Sequence, residues 1–279
     1  MKLPARVALG TMHGKAAAIG PPLAELGIEL VVPSAFDTDR FGTFTGEVPR
    51  AGTMLDAARA KARAAAKATG LPVGLGSEGA YGPHPLVPFM PFGRELLLWH
   101  EPQSGREIAE WLADETPTYD NLCVADLAEA EAFLTGVGFP ATALTVAPAG
   151  AISQPVAKGV TDTERLSSAV HIARTLSPEG RALLQTDMRA HCNPRRMKTI
   201  RHLAERLSAR LASDCPVCGA PGWGKVRIEA GLPCTWCGTP TALPKADVQG
   251  CTACGYEVKR LPEGSPNEAD PAHCPSCNP

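Results

Sequence analysis

The sequence predicts an α/β domain, a sheet covered by helices, followed by a small zinc-ribbon-type module. Strand-like and helix-like segments alternate before Asp214, and eight of the ten cysteines follow that residue in C-x-x-C pairs. The chain has 279 residues, of which 44% are hydrophobic and 20% are charged. This composition excludes wholesale disorder, and the length suits two unequal domains. We therefore place a larger domain at 1–212 and the cysteine-rich domain at 213–279.

Short apolar runs predict the strands of the larger domain, at 6–10, 28–32, 73–76, 95–99 and 143–146. Helix-like composition predicts helices over 15–26, 53–69, 105–113, 124–135 and 163–176. A capping residue before a proline predicts two further helices, which begin at Ser177 and Asn193. Because strands alternate with helices, we expect one sheet with helices packed on it.

The cysteines of the second domain carry the most specific signal in the chain. A C-x-x-C pair places two thiolates on one side of a tetrahedral metal ion, so four pairs supply two structural zinc sites. Sequential pairing gives two zinc ribbons, an interleaved cross-brace uses the same sulfurs, and the spacing leaves both open. Cys123 and Cys192 have no such partner and are expected to be buried. The four pairs are Cys215/Cys218, Cys234/Cys237, Cys251/Cys254 and Cys274/Cys277.

Charge and hydropathy limit the partners of the protein. Residues 211–279 hold five Lys/Arg against seven Asp/Glu, and thiolate zinc sites add negative charge. This acidic module is poorly suited to nucleic acid, so we expect a structural role or a protein partner. No apolar run approaches the roughly 18 residues of a membrane span, and the N-terminus lacks a long apolar signal segment. The sequence therefore predicts a cytoplasmic protein without a membrane partner.

A lysine near the N-terminus is the first candidate for binding a small anion. Lys15 follows the first strand and opens a helix, where backbone N–H groups are exposed to an anion and a lysine neutralises phosphate oxygens. The alternative is a solvated lysine in the first helical turn. From 174 to 210 the chain carries nine Lys/Arg against three Asp/Glu, and we expect Arg189 and Arg195 to bind the same anion. His191 lies between them.

Carboxylates near the strand ends predict a magnesium site, because Mg²⁺ prefers carboxylate oxygens. The candidates are Glu47, Asp56 and Glu78. Each has a simpler alternative: Asp56 completes a capping box with Thr53, Glu78 is a turn acid, and Glu47 pairs with Arg50.

The order of these features resembles the inosine/xanthosine triphosphate pyrophosphatase superfamily of house-cleaning enzymes. The opening T-N-x-x-K turn of that superfamily is matched at 11–15, which keeps Thr11 and Lys15 and lacks the asparagine. The helix motif F-x-E-N-A-x-x-K-A is similar to 54–62, where Asp56 stands for the metal-binding glutamate and Lys61 for the lysine. The G-L-P that follows is matched at 70–72.

Further parts of the resemblance concern the substrate. The segment 45–52, with Glu47 and Arg50, is similar to the corresponding loop, and Glu78 stands where the family has an acid before glycine. A late S-H-R turn that binds the base corresponds to Arg189-Ala190-His191, in a different order. The tandem D-D-S-G motif is absent. The whole arrangement also resembles an uncharacterised bacterial family with C-terminal C-x-x-C pairs.

The resemblance implies a Mg²⁺-dependent hydrolase of a nucleotide-like phosphate or pyrophosphate. Glu47, Asp56 and Glu78 would hold the metal ion, and Lys15 would stabilise the charge that develops on the phosphoryl oxygens. The predicted substrate-binding residues are Thr11, Lys15, Arg50, Lys61, Arg189, His191 and Arg195. The missing acids motivate the alternative, an inactive relative that senses a nucleotide or binds a protein through its zinc module. A zinc-ribbon nucleic-acid protein ranks last.

Overall fold

A computed structural model of the protein describes residues 2–34, 36–38, 41–42, 48–50, 52–261 and 264–279. The chain divides into two compact units, Pro4–Leu207 and a unit of Ser208–Pro279 with residues 2–3. Within the described residues the fold is mixed α/β, with three sheets and five α-helices. None of these helices is long and apolar enough to cross a membrane. That residues 1–212 and 213–279 are separate domains stays a prediction.

A five-stranded sheet with the order β2-β1-β3-β4-β5 contains the site described below. Strands β1 (Arg6–Gly10), β2 (Glu29–Val31) and β3 (Gly74–Pro83) are parallel, whereas β4 (Pro91–Glu101) and β5 (Arg106–Asp114) continue the sheet as an antiparallel meander. The chain leaves β1 through helix α1 (Ala16–Ala24) toward β2, and it returns through helix α2 (Met54–Thr69) to β3 on the other side of β1. Strand β1 is therefore the point where the strand order reverses.

Helix α2 packs so closely against the sheet that its backbone contacts the backbone of β3, because glycines of β3 face alanines of α2. A Cβ atom on Gly76 would lie 1.9 Å from the carbonyl oxygen of Ala58, and one on Gly74 would lie 2.0 Å from that of Ala62. The helix begins with a capping box, in which the Thr53 hydroxyl accepts from Asp56 N–H and the Asp56 carboxylate accepts from Thr53 N–H. This packing fixes where the side chains of α2 project.

A second, antiparallel sheet has the order β6-β9-β7-β8. Its core includes Leu144, Val146, Leu166 and Leu184, each with no exposed surface. Helix α5 (Pro194–Leu211) follows this sheet. The remaining elements are β6 (Asn121–Val124), α3 (Glu131–Val137), β7 (Leu144–Pro148), β8 (Ala157–Val160), α4 (Thr163–Leu176) and β9 (Ala182–Thr186).

The C-terminal unit contains the third sheet, the antiparallel order β10-β11-β12. These strands are β10 (Gly224–Ala230), β11 (Pro244–Gly250) and β12 (Glu257–Arg260). Each C-x-x-C pair lies outside the strands, in the segments before, between or after them.

The structure corrects four sequence expectations. The unit Pro4–Leu207 contains two sheets rather than the single sheet expected, because β6, β7, β8 and β9 pair with one another. The predicted helix over 105–113 is the strand β5, because a turn through Gly105 (φ 71°) returns the chain to pair with β4. The helix predicted from Ser177 does not form, and strand β9 begins at Ala182 instead. Cys123 is exposed rather than buried, while Cys192 is buried as expected.

We expect Gly76→Ala to lower the free energy of unfolding by about 1–3 kcal/mol, because the added methyl group would force α2 away from β3. Gly82→Ala in the same strand is the matched control, since a Cβ atom there meets no atom within 4 Å. Urea denaturation of both variants measures the difference. Equal stabilities would show that the contact between α2 and the sheet tolerates a side chain.

Candidate functional site

The candidate site lies where strand β1 ends beside the longer strand β3. The last residue pair is Gly10 with Gly76, so the part of β3 from Ser77 onward has no partner strand on this edge within the described part of the chain. The carbonyl of Val73 accepts from Ala8 N–H on β1, and carbonyls two residues apart point to the same edge. The carbonyls of Ser77 and Gly79 therefore face the region beyond the end of β1, which is called the crevice below. Ligands of open α/β sheets bind at this kind of position, where the strand order reverses.

Lys15 reaches this open edge from the start of α1. Its Nζ lies 3.0 Å from Ser77 Oγ and 3.3 Å from the Ser77 carbonyl oxygen, and it donates to both. The residue is buried and forms no ion pair with a described residue. Burial is the largest cause that lowers the pKa of Lys15 from 10.5 to about 7, and the charge of Arg196 lowers it further. The lysine is therefore not the solvated residue of the simpler alternative.

Glu78 points to the face of the sheet that α2 covers, where it contacts two cations. Its Oε1 lies 2.5 Å from Lys61 Nζ on α2, and its Oε2 lies 3.3 Å from Nη2 of Arg50. Arg50 also donates to the Gly79 carbonyl at 2.8 Å, so it covers the second open carbonyl of β3. Lys61 and Glu78 are buried, whereas Arg50 is exposed, with 31% of its side-chain surface accessible. The three side chains close the crevice on this face.

A buried group centred on Glu95 lies on the opposite face. Glu95 Oε1 accepts from Arg196 Nε at 2.6 Å and from the Tyr81 hydroxyl at 2.7 Å. Glu95 has no exposed surface and Arg196 has only 1%. Gly79 leaves the space that these groups fill, since a Cβ atom there would lie 2.5 Å from Arg196 Nη2. Burial and the Glu95 charge raise the pKa of Tyr81, which keeps its hydroxyl a donor.

The turn before α5 lies beside the turn that follows β1. The ring centroids of His13 and His191 are 5.2 Å apart, and Asp187 holds Arg189 through contacts of 2.6–3.1 Å. Burial, followed by the charge of Lys15, lowers the pKa of His13 to about 3. Burial and the charge of Arg189 lower the pKa of His191. Both rings are therefore neutral near pH 7, and they form an aromatic rim.

The charges of the described residues leave a positive surplus in the crevice. The two carboxylates are those of Glu78 and Glu95, and each already contacts a cation. A cation that is shielded from water and only partly paired favours a bound anion. The reason is that a positive charge without a counter-charge is costly away from water, and the anion supplies that counter-charge. The four cations are Lys15, Arg50, Lys61 and Arg196.

The structure brings most predicted site residues together. Asp56 instead makes the contacts of the capping box and an ion pair of 2.8 Å with Arg59. Arg195 contacts Asp114 at 3.2 Å and Thr116 at 2.7 Å, and its neighbour Arg196 enters the crevice. Glu47 lies outside the described residues. The predicted residues at or beside the crevice are Thr11, Lys15, Arg50, Lys61, Glu78, Arg189 and His191.

Sequence reasoning missed Glu95, Arg196, Ser77 and His13. A charged residue at the start of the apolar run 95–99 was a usable signal for Glu95, since a lone carboxylate in a buried strand needs a partner. No signal of that kind marks Arg196, because only the rotation of α5 decides which of two adjacent arginines faces the sheet.

The eight paired cysteines form two groups that fit zinc. The sulfurs of each group lie within 4.8 Å of one another, and no other group of three or more His, Cys, Asp or Glu in the described chain could hold a metal ion. Individual Sγ–Sγ distances are 3.3–3.9 Å. Tetrahedral zinc with Zn–S bonds of about 2.3 Å requires about 3.8 Å. The groups are Cys215, Cys218, Cys251 and Cys254, and Cys234, Cys237, Cys274 and Cys277.

Local backbone geometry prepares each pair for a metal ion. The second cysteine of three pairs is followed by a glycine with positive φ: Gly219 (66°), Gly238 (71°) and Gly255 (74°). Each glycine N–H donates to the carbonyl of the first cysteine at 2.8–2.9 Å, and Asn278 makes the same bond in the fourth pair. Hydrogen bonds with the side chain and backbone of Thr239 lower the pKa of Cys237, which favours the thiolate that binds metal.

The antiparallel sheet explains why the pairing is interleaved. Strand β10 carries the chain away from the first pair, and β11 brings it back, so that Gly250, next to Cys251, lies opposite Gly224. Strand β12 returns to the far end, where Ala269 bridges to Cys234. Consecutive pairs are thus separated by a strand of seven or four residues, roughly 13–23 Å. Only the first and third pairs, or the second and fourth, can share an ion.

A crossed set of double variants tests this pairing. Cys218→Ser with Cys254→Ser alters one group, so we expect the purified protein to keep one of its two zinc ions. Cys218→Ser with Cys237→Ser alters both groups and should remove tight binding of both ions. Elemental analysis and native mass spectrometry measure the zinc content, with Cys123→Ser as the control that keeps two. Sequential pairing would reverse the results of the two double variants.

Comparisons with known proteins identify a family and no activity. A search of curated proteins and a search of solved structures each found no match to the chain. No comparison supports the resemblance to the inosine/xanthosine triphosphate pyrophosphatases. The model of one family, described as a domain of unknown function (DUF6671), matches residues 61–279. Because this match covers most of the chain, including Lys61, Glu78, Glu95, Arg196 and all eight zinc-site cysteines, the protein belongs to the DUF6671 family.

Proposed function

We propose that the protein binds a small phosphate-type anion in the crevice beyond β1, and that two structural zinc ions stabilise its C-terminal unit. The observation that carries the proposal is the surplus of cations over carboxylates where the strand order reverses. Lysine and arginine recognise phosphate oxygens through charge-assisted hydrogen bonds. A nucleotide-like phosphate or pyrophosphate is the ligand class that matches this chemistry.

Three cations reach the crevice from different elements. Lys15 lies at the start of α1, Lys61 lies on α2, and Arg50 precedes α2. Because Lys15 and Arg50 both contact carbonyls of the open β3 edge, an anion bound between them would lie against that edge. The neutral rings of His13 and His191 offer an aromatic surface for an organic part of the ligand. These features favour a nucleotide-like molecule over a bare inorganic anion.

Hydrolysis of the bound anion with Mg²⁺ is a second candidate, favoured by the carboxylate of Glu78 in the crevice. A metal ion would compete for this carboxylate with Lys61 and Arg50, which both contact it. The Asp56 carboxylate caps α2. The arrangement therefore supports binding without turnover better than a magnesium-dependent enzyme, and the zinc unit is available as a protein-binding module in such a sensor.

Arg50→Gln tests the anion site without removing a buried residue. We expect it to weaken binding of pyrophosphate or a nucleoside triphosphate about 10–100-fold, the value of one hydrogen bond to a charged group. Arg165→Gln on α4 is the control, since Arg165 contacts a backbone carbonyl on the other sheet. Thermal shift and calorimetry with phosphates of increasing length measure the effect. The absence of binding by every phosphate tested would refute the proposal.

Glu78→Gln separates binding from hydrolysis. For a binding protein, removal of this negative charge should preserve or tighten anion binding, because the crevice becomes more positive. For a hydrolase, wild-type protein with Mg²⁺ should release orthophosphate or pyrophosphate, and the folded variant should lose this activity. Product release and thermal stability are measured together, since neutralising one partner of a buried ion pair costs about 3–5 kcal/mol.

A further inference from the structure

Lys15 is a buried amine that lacks a carboxylate partner among the residues that the structure describes. It is 6% exposed, it donates only to Ser77, and it forms no ion pair with a described residue. These contacts use two of the three N–H donors that a charged lysine amine carries. A buried ammonium group normally requires a paired anion, so the charged form of Lys15 is incompletely stabilised in this site.

The described charged groups around Lys15 do not supply the missing anion. Glu95 on β4 contacts Arg196 on α5 at 2.6 Å, and Glu78 on β3 contacts Lys61 on α2 at 2.5 Å. Each carboxylate is thus already balanced by another cation, and Lys15 holds the surplus charge. Burial and the nearby Arg196 lower the pKa of Lys15 to about 7, in agreement with this balance. The groups that act on Lys15 are Arg196, Glu95, Lys61, Glu78 and His13.

We propose that the crevice takes up its anion together with one proton from solvent, and that Lys15 binds this proton. The inference rests on the proposed function, because it concerns the same crevice. A dianion beside Lys15 supplies the missing counter-charge and so favours the ammonium form over the neutral amine. The proton ends on Nζ, and no covalent bond of the anion changes. Affinity for the anion therefore falls as pH rises through the range in which the unliganded lysine loses its proton.

Calorimetry with sulfate on the full-length, zinc-loaded protein tests this linkage between anion binding and proton uptake. Sulfate does not titrate near neutral pH, so any proton exchanged belongs to the protein. Titrations at pH 8 in buffers of different ionisation enthalpy should show an uptake of about 0.9 proton per anion, given a pKa of about 7 without ligand. Above pH 8 the affinity should fall about tenfold per pH unit.

The outcomes distinguish the linkage from the site itself. Sulfate binding with a heat that does not depend on the buffer would overturn the linkage and leave the anion site standing. Failure of sulfate, orthophosphate, pyrophosphate and a nucleoside triphosphate to bind would refute the anion site, and the linkage with it.

Two substitutions assign the proton to Lys15. Lys15→Arg keeps a permanent charge, so it should bind sulfate without proton uptake and without the loss of affinity above pH 8. Lys15→Met has similar length and no charge, and it should bind sulfate at least tenfold more weakly. Lys67→Met, an exposed lysine at the end of α2, should retain the wild-type affinity and uptake. Proton uptake that persists in Lys15→Arg would assign it to another group, such as His13, and overturn the proposal.

Discussion

The early end of strand β1 is the constraint on which the candidate site depends. Pairing stops at Gly10 and Gly76, while β3 continues to Pro83. The next carbonyls on the open edge still require donors, because a buried polar group without a partner is costly. Lys15 and Arg50 supply these donors, and their charges therefore gather at one place. A structural need of the sheet thus creates an electrostatic site.

The remaining charged side chains of the site lie on the two opposite faces of β3. Side chains alternate along a strand, so Glu78 faces α2 while Ser77 and Gly79 face the other side. Glycines at the contact bring α2 close enough for Lys61 to reach Glu78. On the other side, the absence of a side chain at Gly79 admits Arg196 and Glu95. Small residues in the sheet are therefore as important for the site as the charged ones.

In the C-terminal unit, the metal sites and the path of the chain depend on each other in a different way. Its sheet is small, and the outer strands β10 and β12 have no buried residue, so apolar burial contributes little to its stability. Two metal ions, each tying segments more than 30 residues apart, would supply the missing stability, as structural zinc does in small domains. The strands in turn decide which cysteines meet, so the sheet and the metal sites depend on each other.

The sequence alone determined the local features: the capped helix at α2, the strand β1, and the eight cysteines in pairs that only a metal site explains well. It also determined Lys15 and Glu78 as candidates, because their neighbours show where strands end, whereas Lys61 became a candidate only through the resemblance. Tertiary structure decided the rest. Whether 105–113 becomes helix or strand depends on pairing with β4, and whether Arg195 or Arg196 enters the crevice depends on the rotation of α5. The pairing of the cysteines depends on the direction of three strands, since contacts between distant segments are fixed by packing and leave no local signal.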